Sequence, residues 1–489
     1  MEASRAKRLA LLFLIVAVGA ALRLFRIDAQ SAWYDELLSV SQSARSLTDL
    51  LRSLTTADIH PPLHHLILGA WYKVAGFGAM EARLVSVIFG TFSIPLLYLL
   101  ARRFTDSATS LCAAFLLAVS QIAVYFSQEA RPYILVQFLS LAAALAFLDF
   151  IRNPNLRDST LFALAGAGLL YTHYYSVWVL LALGLYWLVV RRRAAVAGFG
   201  RMCMVAVVIG VIYSPWLLLL NQSGGLNPQR GVLRSIHPSQ MARASSPLAA
   251  LNRFNSAKFG SIEHRTSAPA ALVGFALFTA PAAAALWQAM RTGSGGAILG
   301  WLLAGVPVLA AVVVGFFGVV FNYRHYSFAS AGYYLAVAIG WRLCFPNRAM
   351  RLLWLAAVLV VSGLALKGIY TAPTKPDYRE GFLPLANHYQ PGDCVTGQPR
   401  IWQKLVHYAW EVYYGERGTL RLVPLDQLPS VPAECGRLWL VWDRTWWMNR
   451  TSNGEQRVKD TIARMAGEYW VAQRHDHPAI QLHLLERKP

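Results

Sequence analysis

Eleven apolar runs, taken as long enough to cross a lipid bilayer as helices, restrict the fold of this chain more than any other feature. A chain of 489 residues that is 56% hydrophobic and only 14% charged carries more apolar surface than a soluble core can bury, so the runs must face lipid. The sequence therefore predicts a polytopic α-helical membrane protein with about 11 transmembrane helices. The runs are 8–25, 84–101, 108–124, 132–150, 158–171, 175–190, 202–220, 268–290, 297–316, 328–345 and 351–369.

The first run follows Arg5, Lys7 and Arg8, an arrangement that also begins secretory signal peptides. However, no small-residue cleavage site is followed by a plausible soluble start, and Arg23 and Arg26 are typical of the end of an anchored helix. We therefore predict that the first run is retained and enters the membrane from the cytoplasm.

Positive charge in short loops orients the remaining helices, because cytoplasmic loops are enriched in lysine and arginine. Counting the short segment 61–76 as a further span would reverse every later loop, so we predict that it is interfacial or re-entrant. The first long loop, 26–82, and a second, 222–267, then lie outside the cytoplasm. The loops predicted to be cytoplasmic contain Arg102, Arg103, Arg152, Arg157, Arg191, Arg192, Arg193, Arg201, Arg291, Arg342, Arg348 and Arg351.

The composition changes after Tyr370, where prolines and charged residues replace the apolar runs. We predict a transmembrane domain at 1–370 and a separate α/β domain at 371–489 on the outer, periplasmic side of a bacterial inner membrane. Its Cys394 and Cys435 would meet an oxidising compartment there, so a disulfide between them is a reasonable hypothesis. Predicted strands are Arg437 to Trp442 and Ile480 to Leu485, and predicted helices are Trp402 to Tyr414 and Gln456 to Tyr469.

Unusual polar side chains gather at the predicted outer face of the membrane. Each cluster also has a structural interpretation: acidic residues solvate loops, Asp before prolines starts helices, and arginines reach lipid headgroups. Their shared face is what favours a functional site. The candidates are Asp35, Glu36, Asp58, His60, Glu129, Arg131, Tyr133, His173, Tyr323 and Arg324.

These residue types suit chemistry on a lipid-linked phosphate. Arg131 and Arg324 are the two cations of the short outer loops, and arginine binds phosphate bidentately and keeps its charge. A carboxylate suits deprotonation of an alcohol. In a glycosyl phosphodiester the departing lipid phosphate is already a good leaving group and needs no general acid, unlike the leaving alcohol of a glycosidase. One base and one cationic site would suffice, and attack opposite the phosphate would invert the anomeric carbon.

At these positions the sequence resembles the GT-C superfamily of membrane glycosyltransferases, in the branch of protein O-mannosyltransferases and bacterial lipid A aminoarabinose transferases. The resemblance covers about 8–345. It depends on the Asp-Glu pair at 35–36, the Asp-x-His-Pro-Pro segment at 58–62, Ala82-Arg83-Leu84, Gln128-Glu129-Ala130-Arg131-Pro132-Tyr133, and the Tyr-Arg-x-Tyr turn at 323–326.

The resemblance implies that Asp35 is the general base and that Glu36 assists it. It implies that His60 contacts the donor phosphate or sugar, that Glu129 and Arg131 shape the donor site, and that Arg131 or Arg324 holds the phosphate. The implied donor is a polyprenyl-phosphate sugar, and the acceptor is a lipid, a glycan or a protein. We expect no required metal or other cofactor, although a divalent metal is possible.

Three alternatives stay open at this point. A transporter or flippase for a lipid-linked glycan would also use arginines and aromatic residues, but it should have charges within the spans and paired broken helices. A glycan polymerase or ligase would share the topology but not the Asp-Glu and Asp-x-His-Pro-Pro sequences. The third is an anchor for the outer domain. Nucleic acid is not expected as a partner despite the net charge of +20, because the cations form no stripe.

Overall fold

Each of the eleven predicted runs overlaps a helix in the computed structural model of the protein, in which the predominance of helices confirms the predicted fold class. The structure describes residues 2–56, 60–153, 155–190, 194–224, 254, 268–316, 323–397, 400–423, 435–444 and 454–489. Within these ranges the helices are α1 (Glu2–Leu24), α2 (Tyr34–Ser43), α3 (Leu47–Thr56), α4 (Leu63–Ala75), α5 (Ala79–Arg102), α6 (Ser107–Ala118), α7 (Gln121–Ser127), α8 (Tyr133–Arg152), α9 (Leu156–Thr172), α10 (Val177–Val190), α11 (Ala194–Gln222), α12 (Ala268–Thr292), α13 (Gly295–Phe316), α14 (Ser330–Cys344), α15 (Arg348–Thr371), α16 (Tyr378–His388), α17 (Arg400–Tyr414) and α18 (Gly454–Met465).

Six of the described helices are long and apolar enough to cross a membrane by themselves. They lie within α5, α8, α11, α12, α13 and α15, and the bent pair α6 and α7 would add a seventh. Other helices that coincide with predicted spans are shorter, such as α10 with 14 residues and α14 with 15. The protein is thus a multi-pass membrane protein, and the count of eleven spans stays a prediction. Helix α4 has only 13 residues, about 20 Å at 1.5 Å per residue, which agrees with an interfacial segment.

The described chain divides into two units. The first comprises Met1–Ile27, Arg45–Ala70 and Arg83–Ala372, and it contains the large apolar core. The second comprises Asp28–Ala44, Trp71–Ala82 and Pro373–Pro489, so two parts of the first outer loop belong with the tail.

A bend of 52° separates α6 from α7 in the first unit, inside a run that the sequence presents as one span. The side chain of Ser120 caps α7 by accepting a hydrogen bond from the backbone of Ala123. The last carbonyls of α6, those of Leu117 and Ala118, accept hydrogen bonds from the fully buried guanidinium of Arg23 at 3.1 Å each. A charged donor from α1 therefore satisfies carbonyls that the break leaves without helical partners.

The tail contains a five-stranded mixed sheet with the order β2-β1-β3-β5-β4. The strands are β1 (Cys394–Gly397), β2 (Arg421–Leu422), β3 (Arg437–Asp443), β4 (Tyr469–Asp476) and β5 (Ile480–Arg487). Strand β1 pairs in parallel with β2 and β3, whereas β5 runs antiparallel to β3 and β4. The predicted strands correspond to β3 and β5, and the first predicted helix corresponds to α17. The second predicted helix is wrong at its end, because α18 stops at Met465 and the buried Tyr469 begins β4.

A disulfide joins Cys394, at the start of β1, to Cys435, just before β3, which confirms the cysteine hypothesis. The two Cα atoms are 5.7 Å apart, and both residues are fully buried. The two cysteines are 41 residues apart in sequence, so the bridge reduces the conformational freedom of this stretch in the unfolded chain.

The first-loop segment at 28–44 packs into the core of the second unit. Leu37 of α2 is fully buried in one cluster with Phe382 of α16 and Trp410 of α17. The hydroxyl of Ser41 donates a hydrogen bond to Glu411, and Arg379 forms a two-pronged ion pair with Asp28. Helix α2, which carries the Asp-Glu pair, is therefore held by the tail.

Candidate functional site

Asp35 and Glu36 occupy the first turn of α2, in the second unit. Carboxylates are favoured there because the helix dipole places positive charge at the N-terminus. Glu36 is fully buried and accepts a hydrogen bond from the backbone amide of Trp33, which precedes the helix, at 3.4 Å. Asp35 is only half-buried and so remains accessible from solvent.

The carboxylate of Glu36 forms an ion pair with Lys375, at 2.8 Å between Nζ and Oε2. The two side chains are 0% and 6% exposed, so water screens the pair little. Lys375 is not among the predicted residues, because 339 residues of sequence separate it from Glu36. The pair ties the first turn of α2, which also carries Asp35, to Lys375. The predicted participation of Glu36 in catalysis stays a prediction.

Replacing Glu36 with glutamine is expected to destabilise the second unit by about 3–5 kcal/mol, since it removes the carboxylate charge beside a buried ammonium. The double variant E36Q/K375M removes both charges and should recover most of that loss. Thermal unfolding in detergent, followed by tryptophan fluorescence, measures both. Equal unfolding temperatures for the single and double variants would contradict the coupling.

Five predicted residues and one that was not predicted form a histidine–arginine cluster in the first unit. The ring of His173 lies 6.2 Å from that of His60 and 6.1 Å from that of Tyr133. The guanidinium of Arg131 is 5.9 Å from the centre of the Tyr133 ring. The sixth member, His325, lies 5.5 Å from His173. The cluster consists of His60, Arg131, Tyr133, His173, Arg324 and His325.

The turn at 128–132, between α7 and α8, positions the acidic and basic members of the site. The Gln128 side chain donates hydrogen bonds to the backbone carbonyls of Arg23 and Phe25 at 2.9 and 2.8 Å. Ser86 donates to the backbone carbonyl of Glu129 at 2.6 Å. Glu129 is 1% exposed and Arg131 is 4% exposed, so the turn holds two opposite charges away from bulk water.

His173 ends α9 and starts the 3₁₀ turn at Tyr174–Ser176. Its Nδ1 accepts a hydrogen bond from the backbone amide of Tyr175 at 3.2 Å, so the proton of the neutral ring is on Nε2. Burial lowers the pKa of His173 well below its ordinary value, and charge at His60, Arg131 and Arg324 lowers it further. The ring is thus a neutral donor beside two fixed cations.

The 3₁₀ turn Tyr323–Ala329 supplies the other side of the cluster. Burial lowers the pKa of His325 well below its ordinary value, and the charge of Arg324 is the largest of the further causes. The His325 ring stacks on Tyr175 at 5.1 Å, and the Tyr323 ring lies 6.0 Å from that of Phe126. The predicted Tyr323 thus lies near Phe126 of α7, and the charge of the predicted Arg324 acts on His173.

Several predicted features lie outside the residues that the structure describes. These are Asp58, the arginines at 191–193 and most of the loop 222–267. In the described part of the chain, no group of three or more His, Cys, Asp or Glu side chains is placed to bind a metal.

His325 in the histidine–arginine cluster and His64 near it are two residues that are not among the residues predicted from the sequence. The available signals were the spacing of four residues between His60 and His64 and the histidine inside the Tyr-Arg-His-Tyr turn.

The cluster offers two arginines and the neutral imidazoles of His173 and His325, and the buried Glu129 lies in the same turn as Arg131. Such a set can bind an oxyanion through the arginines and polar uncharged groups through the rings. The carboxylate of Asp35, which is half-exposed and lies in the second unit, can accept a proton.

Comparisons with known proteins agree with this chemistry. Residues 59–219 match the sequence family described as dolichyl-phosphate-mannose-protein mannosyltransferase. A search of curated proteins finds no significant match.

Among solved structures, ArnT from Cupriavidus metallidurans bound to undecaprenyl phosphate is similar in fold, with a TM-score of 0.59 and 16% identity over 96% of this chain and 97% of that one. The oligosaccharyltransferase of Archaeoglobus fulgidus, tethered to an acceptor peptide, has a TM-score of 0.56 and 12% identity over 97% of this chain and 74% of that one.

The solved structures show the fold that this chain shares with them. In sequence, residues 59–219 are similar to the dolichyl-phosphate-mannose-protein mannosyltransferases.

Proposed function

We propose that the protein is an inverting glycosyltransferase that moves a sugar from a polyprenyl-phosphate donor to an acceptor hydroxyl. The observation that carries this proposal is the histidine–arginine cluster, in which two permanently charged side chains lie among neutral histidines at turns between apolar helices. A lipid phosphate needs a cationic site at the edge of the bilayer, because its tail stays in the hydrocarbon.

The reaction that we propose has one step. Asp35 takes the proton of the acceptor hydroxyl while the acceptor oxygen attacks the anomeric carbon. The bond from that carbon to the phosphate oxygen breaks, and the electron pair leaves with the lipid phosphate, whose added negative charge Arg131 or Arg324 stabilises. Attack opposite the leaving group inverts the anomeric centre. Within this scheme His60, Tyr133, His173 and Tyr323 border the donor.

The comparisons support the class of donor. The description of the matching sequence family names dolichyl-phosphate-mannose, and the Cupriavidus metallidurans ArnT structure contains undecaprenyl phosphate. Both compounds contain a phosphate joined to a polyprenyl chain, and Arg131 and Arg324 would bind such a phosphate. We further propose that the reaction takes place at the periplasmic face of a bacterial inner membrane, with residues 371–489 outside. The acceptor would be an envelope lipid, a glycan or a protein.

The test is sugar transfer by the purified protein in lipid nanodiscs. Polyprenyl-phosphate sugars labelled in the sugar are offered as a panel with a mixture of envelope lipids and peptides, and label is followed from donor to acceptor. Transfer with an inverted anomeric configuration is the expected result. Movement of intact labelled lipid across liposomes without any transfer would instead establish a transporter.

A further inference from the structure

His64 has hydrogen-bonding capacity that the folded chain does not use. Its side chain is only 2% exposed, yet neither ring nitrogen has a hydrogen-bond partner within the described part of the structure. Burying a donor and an acceptor without partners opposes folding, so such groups are rare unless a ligand satisfies them. His64 is the second residue of α4, and this helix begins directly after Pro61 and Pro62.

The position of His64 links it to the histidine–arginine cluster. The charge of Arg131 and any charge at His60 both act on the ring, and the ring of His65 lies 5.7 Å away. Burial is the main reason that the pKa of His64 falls well below its ordinary value. The positive end of the α4 dipole acts in the same direction. The ring is therefore uncharged and offers one N–H donor and one nitrogen acceptor.

We propose that His64 binds a hydroxyl group of the donor sugar. This inference rests on the proposed function, because it assumes a sugar joined to a phosphate at Arg131. A hydroxyl can donate and accept, which matches a neutral imidazole, whereas a phosphodiester oxygen only accepts and an isoprene unit does neither. The charge of Arg131 acts on the His64 ring, and the sugar is attached directly to the phosphate, so a phosphate at Arg131 would bring its sugar towards His64. His64 thereby distinguishes a sugar-loaded lipid from the spent lipid phosphate.

The experiment compares wild type, His64→Leu and His64→Asn for binding of polyprenyl-phosphate hexose and of sugar-free polyprenyl phosphate. We expect His64→Leu to lose about tenfold or more in affinity for the sugar-loaded lipid, by analogy with sites built to recognise a hydroxyl. Its affinity for the sugar-free lipid should be unchanged. His64→Asn keeps a donor and an acceptor and should recover part of the loss. His407→Leu, in which an exposed histidine of α17 is replaced, is the matched control.

Thermal unfolding separates a ligand-binding role from a structural one. Because His64→Leu removes unsatisfied buried nitrogens, it should unfold at the same temperature as wild type or at a higher one. An equal loss of affinity for both lipids, or no loss for either, would overturn the role of His64 while wild type still transfers sugar. If wild type binds neither lipid and transfers no sugar, the proposed function itself fails, and the assignment of His64 fails with it.

Discussion

Asp35→Asn is expected to slow sugar transfer by about 10²- to 10⁴-fold, the usual contribution of a general base. The amide keeps the size and position of the side chain on the first turn of α2 but cannot take the proton of the acceptor. The donor does not depend on this proton transfer for binding, so the dissociation constant of the polyprenyl-phosphate sugar should stay near the wild-type value. Single-turnover transfer and equilibrium donor binding, measured on the same preparation, separate the two effects.

The matched control is Asp49→Asn, because Asp49 also occupies the first turn of a helix in the loop 26–82 and its side chain is exposed. It should transfer sugar at the wild-type rate. Asp49→Asn should unfold within about 1 kcal/mol of wild type and Asp35→Asn within about 2 kcal/mol, the upper contributions of a carboxylate near a helix N-terminus at an exposed and at a partly buried position. Wild-type transfer by Asp35→Asn would remove Asp35 from the mechanism.

Arg131→Gln is expected to reduce transfer by about 10²- to 10³-fold, comparable to the loss of one preorganised donor to a developing oxyanion. Arg131 is almost completely buried beside neutral histidines, so its charge is weakly screened and its removal should weaken donor binding as well as the chemical step. Sugar-loaded and sugar-free lipid should both bind more weakly, which distinguishes this variant from His64→Leu. Arg131→Lys keeps the charge but lacks the planar guanidinium, so its transfer rate and lipid affinity should lie between those of wild type and Arg131→Gln.

The control for Arg131 is Arg291→Gln, since Arg291 is an exposed arginine at the end of α12 that contacts Trp287. It should leave transfer and lipid affinity unchanged. Unfolding temperatures identify a variant that fails through misfolding, and Arg131→Lys provides a second measurement if Arg131→Gln does not fold. Donor affinity equal to wild type in a folded Arg131→Gln protein would assign the phosphate to Arg324 or to another group.

Hydrophobicity and charge in the sequence predict the positions of the long apolar helices, because a membrane span must satisfy its backbone internally and hide few charges. The break between α6 and α7 was missed because Ser120 is a small residue within an otherwise apolar run. In the tail, β3 and β5 are long apolar runs and were predicted, whereas β2 has two residues and β4 is largely exposed. Neither of these strands carries a clear periodic signal.

For the candidate site, topology carries the strongest sequence signal. His60, Arg131, His173 and Arg324 come from different parts of the chain that the sequence places on one predicted face of the membrane, and the structure brings the four side chains into one cluster. Contacts that depend on tertiary packing gave no such signal. The pair of Glu36 and Lys375 joins distant parts of the chain, and the unsatisfied nitrogens of His64 become visible only when burial is known.

Helix α2 belongs to the same unit as the tail, and this restricts how the protein can be divided or recombined. A chimaera that exchanged residues 373–489 alone would keep all the apolar helices but would separate Glu36 from Lys375 and Leu37 from its apolar neighbours. The carboxylate proposed as the base would then be presented by an unsupported helix. The tail is therefore not an interchangeable module, and the segment at 28–44 must be transferred with it in engineering and is expected to change with it in evolution.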